Sequence, residues 1–359
     1  MPTIHADRRA RLRRQLAARD VPAALVTRLV NVRYLAGYTG SNAALLLTPD
    51  RTLLATDGRY TLQAGAESPD AELVTERRCA QALAERAASL GVRRLAVETH
   101  EVTVDLHRQL TEAAEKAELV SLDGAVERLR AVKDETEIAL LREACAATDR
   151  AFSALAAELR PGLTEREVAW RLEVALRAAG ADGLAFDPIV AGGPNGAVPH
   201  HQPTDRPLEP GDLLTLDFGA RYSGYHADMT RTVVVGGQPA DWQREVYALV
   251  ATAQRAGRDA VVPDSTLGAV DKAARDVIEE AGHGEHFVHP VGHGVGLEIH
   301  EAPLLGPATD GRLDDRTPVT VEPGVYLPGR GGVRIEDTLM VRAGAPEVLT
   351  TTTRDLLVL

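Results

Sequence analysis

Residues 213–235 read LLTLDFGARYSGYHADMTRTVVV. The apolar run 213–218 is interrupted by Asp217. Residues 221–226, with Tyr222, Gly224 and Tyr225, have the composition of a turn, and the β-branched run 232–235 is a strand by propensity. Strand, turn and strand make a hairpin the economical reading. Two carboxylates, Asp217 and Asp228, stand inside that apolar context. A carboxylate buried alone is costly, so each needs a cation or a set of donors.

Three stretches further along repeat the pattern of an ionisable residue among strand formers: Gly292-His293-Gly294-Val295-Gly296, Val321-Glu322-Pro323-Gly324 and Val333-Arg334-Ile335-Glu336-Asp337. Segments 319–322, 325–327 and 333–341 read as strands, so an antiparallel or mixed sheet with flanking helices is expected here. Four carboxylates and one imidazole suit a pair of divalent ions, and oxygen-rich ligation with one nitrogen points to Mn²⁺, Co²⁺ or Zn²⁺. Two such ions about 3.5–4 Å apart activate water and polarise a carbonyl together. Each piece also has a plainer reading. Asp217 serves as a turn or cap residue, His293 as a loop histidine, and Glu336 as an ion-pair partner of Arg334. The five together, spread from residue 217 to residue 336, favour the metal site.

Upstream, Ile138, Leu141, Cys145, Thr148, Phe152, Leu155 and Leu159 recur at steps of three and four, one face of a long helix beginning near Lys133. Pro161-Gly162 stops it. Thr164 and Glu167 open the next helix at capping-box spacing. Before residue 128, short apolar runs at 23–26, 43–47, 52–55 and 95–97 alternate with helical stretches at 8–19 and 80–90, the signature of an α/β domain. The 359 residues therefore divide into domains 1–128 and 129–359. A formal net charge of −12 disfavours a nucleic-acid partner. No apolar run approaches the roughly 20 residues of a membrane helix. The arginine-rich start lacks an apolar segment and carries Asp7 and Asp20, which argues for a cytoplasmic protein. Two distant cysteines, Cys79 and Cys145, form no disulfide framework.

The strings LDFGARYSGYHADMTRT, HPVGHGVGLEIHE, VEPGVY and GGVRIEDT resemble the pita-bread metallopeptidases, the family of methionine aminopeptidase, aminopeptidase P and prolidase. The resemblance covers residues 130–359. Upstream, NVRYLAGYTGSNAALLL and ATDGRYTLQA are similar to the N-terminal domain of the Xaa-Pro-cleaving branch. The fold implied is an α/β N-terminal domain followed by an α+β pita-bread catalytic domain, a curved antiparallel sheet with helices outside. The activity implied is hydrolysis of the N-terminal Xaa–Pro bond of proline-containing peptides, with two divalent metal ions as cofactor, Mn²⁺ foremost and Co²⁺ or Zn²⁺ as alternatives. The family pattern makes Asp217, Asp228, His293, Glu322 and Glu336 the metal ligands and Glu322 also the general base. It puts His300 against the developing oxyanion, His200 on the substrate side (His201 being the alternative register) and Arg334 near the site. His226, His283, His286 and His289 receive no role. A homodimer is expected by resemblance.

Within the branch, prolidase-like members often carry arginine after the His-Glu-x-Pro string, where it holds the carboxylate of a dipeptide. Here Leu304 follows His300-Glu301-Ala302-Pro303. That departure favours an aminopeptidase accepting longer Xaa-Pro peptides, with a dipeptidase as the alternative and Arg59 or a neighbouring subunit's arginine as a replacement clamp. Phe186 and Tyr326 are candidate walls of the proline pocket. More remote readings are a non-catalytic binding protein on the same fold and a two-metal hydrolase acting on phosphoesters.

Overall fold

The computed structural model describes residues 3–359. The chain divides into two compact units, Met1–Arg130 and Ala131–Leu359.

In the first unit a six-stranded mixed sheet runs in the spatial order Glu72–Thr75, Thr52–Thr56, Ala44–Leu47, Ala23–Val26, Arg94–Val97, Glu118–Ser121. Strands Ala44–Leu47 and Ala23–Val26 are buried at every position, which is why they read as continuous apolar runs. The outer strands, ELVT and ELVS, are exposed or only partly buried and carry acids, the composition that blunts a sheet edge. Leu83, Ala84, Ala87 and Leu110 from helices Cys79–Ser89 and Val104–Ala113 share one apolar cluster with Leu25, Leu46 and Leu53. The basic N-terminal helix spans Ile4–Ala18, and two of its arginines are buried. Arg8 donates to the Tyr34 carbonyl at 3.0 Å and Arg9 to that of Leu35 at 2.8 Å. They satisfy carbonyls in the last turn of helix Leu29–Ala36, which have no partner within their own helix. Arg59 is mostly exposed and paired with Asp57 at 2.8 Å.

The second unit opens with helix Glu135–Ala156, started by a capping box between Asp134 and Glu137. Ile138, Leu141, Cys145, Thr148, Phe152 and Leu155 are buried, the face the spacing implies. Phe152 stacks on Phe218 with ring centroids 6.5 Å apart and planes 8° from parallel, worth about 1 kcal/mol beyond burial. The one polar residue on that face, Thr148, accepts the Ala220 amide at 2.9 Å. Thr164 and Glu167 cap helix Glu165–Ala178 reciprocally, as their spacing suggests.

Strands Asp212–Phe218 and Met229–Val235 pair antiparallel, with Ile189–Gly192 on the other side of the first, so Asp217 lies opposite both Thr230 and Ile189. A second sheet runs Glu301–Leu305, Gly292–Gly294, Pro318–Val321, Asp337–Met340, Glu347–Val348, and Gly324–Leu327 pairs with Gly331–Arg334 as a separate ribbon. The pairings within these sheets are antiparallel. Helices Asp241–Asp259 and Leu267–Glu280 cover the second sheet through Val246, Val250, Val270 and Ile278. The segment 333–341, expected as one strand, is two. It breaks at Ile335-Glu336, where the Glu336 amide leaves its own sheet to donate to the Thr230 carbonyl at 3.1 Å. The break hands the chain from one sheet to the other and turns Arg334 and Glu336 toward the first hairpin. Among the described residues no helix is long and apolar enough to cross a membrane. Both cysteines are buried and free.

Candidate active site

Three β segments bring three carboxylates together. Asp217 sits in the hairpin's first strand, Asp228 just before its second, and Glu336 at the break described above. The three are nearly inaccessible to solvent. One oxygen of each is committed or shared: Asp217 Oδ2 accepts from Arg334 Nη2 at 2.7 Å, Glu336 Oε2 accepts from the Thr230 hydroxyl at 2.7 Å, and Asp228 Oδ2 lies 3.5 Å from His293 Nε2. The other three, Asp217 Oδ1, Asp228 Oδ1 and Glu336 Oε1, are buried without a hydrogen-bond partner. Buried polar atoms are almost always satisfied, so three orphan oxygens in one place call for a ligand.

His293 supplies the nitrogen. It is the central residue of strand Gly292–Gly294, and both neighbours must be glycine. A Cβ on Gly292 would stand 2.0 Å from the Thr320 carbonyl oxygen, and one on Gly294 2.3 Å from that of Ala302. The close strand approach seats the ring, whose Nδ1 faces the Gly294 carbonyl at 3.0 Å. A carbonyl only accepts, so Nδ1 carries the proton and Nε2 offers its lone pair, the tautomer that a metal-binding histidine needs. His293 Nε2 also lies 3.4 Å from Glu322 Oε1, and Thr320 accepts from the His293 amide while donating to Glu322. One ligand atom each from Asp228, His293 and Glu336 lie within 4.8 Å of one another.

The electrostatics demand positive charge. Burial first, then Asp217 and Glu322, push Asp228 well above the usual carboxylate range. Burial, Asp228 and Glu322 do the same to Glu336, and burial raises Glu322 against the pull of His293 and Arg334. Such a set stays ionised together only around cations. The residues therefore fit divalent metal ions, with hard oxygen donors and a single imidazole.

Arg334 is the charged group behind this cluster, and it pairs with Asp217 rather than Glu336. It also donates to the Tyr326 hydroxyl at 2.8 Å, to the Thr230 hydroxyl at 3.2 Å and to the Pro199 carbonyl at 3.3 Å. Tyr326 in turn contacts His289 Nε2 at 2.8 Å, while His289 Nδ1 meets the Pro290 carbonyl at 2.8 Å. Nδ1 must donate there, so the tyrosine hydroxyl donates to Nε2 and the chain of donors runs from Arg334 to His289. Burial pushes His289 down to about 4, keeping it neutral. His289, to which the sequence assigns no role, lines the pocket.

The pocket above the carboxylates has a volume of about 450 Å³, within the usual span for small-ligand sites. Phe186, Ile189, Pro199, Ile299 and Leu304 are among its apolar lining, with His200, His300, Asp217, Asp228, His293, Glu322 and Arg334 among its polar groups. Glu336 lies beneath, outside the lining. Phe186 thus takes the expected wall position, whereas Tyr326 is buried behind Arg334. His200 faces the pocket and His201 does not: His201 Nε2 is held by Glu165 at 2.8 Å. The His300 ring stands edge-on to His293 with centroids 4.4 Å apart, and burial, with His293 and His200 nearby, keeps its pKa below the ordinary imidazole value. His226 contacts the Gly296 carbonyl at 3.0 Å, and His283 and His286 pair with each other; none of these three lines the pocket.

Known proteins share this fold. The profile of metallopeptidase family M24 matches residues 139–343, and that of the creatinase/prolidase N-terminal domain matches residues 8–132. The chain is 38% identical to the uncharacterized peptidase YqhT of Bacillus subtilis over 97% of its own length and 99% of the relative's. A solved Xaa-Pro dipeptidase from Bacillus anthracis superposes with a TM-score of 0.95 at 38% identity, covering 99% of this chain and all of the other. The X-Pro aminopeptidase from Thermotoga maritima does so with a TM-score of 0.89 at 36% identity, over 97% of this chain and all of that one. By fold, by pocket and by these relatives, the chain belongs to metallopeptidase family M24, with an α/β creatinase/prolidase-type domain ahead of an α+β catalytic domain of the pita-bread fold.

Proposed function

We propose that this protein is an Xaa-Pro peptidase whose Asp217, Asp228, His293, Glu322 and Glu336 hold two divalent metal ions. The observation that carries the reading is the trio of buried, partnerless oxygens on Asp217, Asp228 and Glu336 beside the lone pair of His293 Nε2. When bound, such ions supply water activation and carbonyl polarisation at neutral pH.

The chain's own groups do the rest. Glu322, ionised beside bound cations, would receive the proton of the attacking water at its carboxylate. His300, kept neutral, donates a hydrogen bond to the oxygen on which negative charge develops. His200, at the pocket rim, contacts substrate. Arg334 acts through others, by orienting Asp217 and the Pro199 carbonyl. A prolyl amide nitrogen has no N–H to offer, so the substrate must be seated by ring packing, for which Phe186, Ile189 and Ile299 supply apolar walls.

Longer Xaa-Pro peptides are the favoured substrates. Arg334 is the sole arginine or lysine among the pocket-lining residues, and its guanidinium is already used by Asp217, Tyr326 and Pro199. Leu304, half exposed, occupies the position from which an arginine would clamp a dipeptide's carboxylate. The second reading, a dipeptidase, is favoured by the Bacillus anthracis relative, described as an Xaa-Pro dipeptidase. A binding protein without chemistry is disfavoured by the full set of candidate ligands. Mn²⁺ is the proposed native metal, a homodimer the proposed assembly, and the cytoplasm the proposed location, the last in keeping with two unpaired cysteines. Metal analysis of the purified protein tests the site: about two divalent ions per chain support it, and none in protein purified without chelator overturns it.

A further inference from the structure

His200 makes no side-chain hydrogen bond among the described residues, yet a substrate-side group must be held within fractions of an ångström to be useful. Its two neighbours are both tied down. The Pro199 carbonyl accepts from Arg334 at 3.3 Å. The His201 ring is clamped by Glu165, the first residue of helix Glu165–Ala178. Glu165 is fully buried and takes five hydrogen bonds from four residues of the segment that carries His200. Its Oε1 accepts from the Gly192 amide at 2.8 Å and the Asn195 side-chain amide at 2.9 Å. Its Oε2 accepts from His201 Nε2 at 2.8 Å, the Thr204 amide at 2.9 Å and the Thr204 hydroxyl at 2.7 Å. Burial opposes the charge, but these donors outweigh it and hold the carboxyl below the usual range.

We infer that Glu165 is a positioning residue for the peptidase reaction: it gathers Gly192, Asn195, His201 and Thr204 around one carboxylate and so aims His200 into the pocket. The inference rests on the substrate-side reading of His200 given above. The hub lies on a helix end, away from the carboxylate cluster, and no atom of it lines the pocket. A merely stabilising role would not require its donors to bracket His200 from both sides in sequence. Five bonds to four residues around one loop convert a connection between strand Ile189–Gly192 and strand Asp212–Phe218 into a fixed mount.

The test is a double-mutant cycle. In Glu165→Gln the amide NH₂ faces a backbone N–H in either orientation, that of Gly192 or that of Thr204, so one side of the hub is lost. The expected result is a fall in kcat/KM for an Xaa-Pro-Yaa peptide of about tenfold, with bound metal per chain unchanged. In a His200→Ala background the same substitution then causes no further loss. His201→Ala, which leaves the carboxylate and its other donors in place, serves as a second variant should Glu165→Gln fail to fold. It lowers kcat/KM in the same direction and is likewise silent in His200→Ala. Independent, multiplicative losses, unchanged kcat/KM in both variants, or loss of metal would overturn the inference. Full activity of His200→Ala alone would instead overturn the substrate-side reading of His200.

Discussion

Replacing Arg334 by methionine keeps an unbranched apolar stem and removes the charge and donors. The guanidinium is nearly inaccessible and serves Asp217, Tyr326, Thr230 and Pro199. In the metal-free protein it is the cation paired to a cluster of four carboxylates, so its loss leaves Asp217 buried without its ion-pair partner. Breaking a buried pair in this way costs about 3–5 kcal/mol. For a unit of this size each kcal/mol lowers Tm by roughly 2–4 °C, so the metal-free catalytic unit should melt some 6–20 °C lower. Divalent ions take over part of the charge balance at Asp217, and the metal-loaded variant should therefore recover part of that loss. Calorimetry of metal-stripped wild type and variant, each repeated with saturating Mn²⁺, reads both effects. A metal-free Tm within about 2 °C of wild type would refute the account of Arg334 as the cluster's counter-charge.

Asp228→Asn should reduce bound metal as well as activity, because it removes one of the partnerless oxygens' charge; full metal content by elemental analysis would remove Asp228 from the ligand set. Glu322→Gln should lower kcat by about 10²–10⁴-fold with little change in KM, the pattern of a lost general base; a matching rise in KM at constant kcat would contradict that role. Leu304→Arg should raise kcat/KM for Xaa-Pro dipeptides about tenfold or more relative to tripeptides, since it supplies a charge-assisted bond to the free carboxylate. An unchanged ratio would dissociate position 304 from length selection.

Much of this structure is legible in the sequence where one physical demand dominates. The hairpin around Asp217 shows because its strands are buried on both faces and read as apolar runs. The long helix shows through its three-and-four spacing. Strands Glu72–Thr75 and Glu118–Ser121 do not show, because an edge strand is short and polar for the same reason that it is safe. Segment 333–341 misleads for a different reason. Its residues are strand formers throughout, and the break at Glu336 is set by a partner more than a hundred residues away, the Thr230 carbonyl. Helices Asp241–Asp259 and Leu267–Glu280 carry an apolar stripe at steps of three and four, Val246, Val250 and Ala253 in one and Val270, Ala274 and Ile278 in the other. His289 is the reverse case. A single histidine beside a proline gives no local sign that its ring will meet Tyr326 and the pocket. The ambiguity between His200 and His201 is likewise resolved only by Glu165, 35 residues from one and 36 from the other.

Metal-dependent cleavage before proline is measured by hydrolysis of matched Xaa-Pro and Xaa-Pro-Yaa peptides by metal-stripped protein, before and after addition of Mn²⁺. The stripped protein should cleave neither peptide, and Mn²⁺ should restore cleavage of both lengths, the longer peptide being preferred. Cleavage of the dipeptide alone would keep the metal site and overturn the role given to Leu304. Cleavage undiminished without metal, or absent with it, would rule out a metal-dependent Xaa-Pro peptidase.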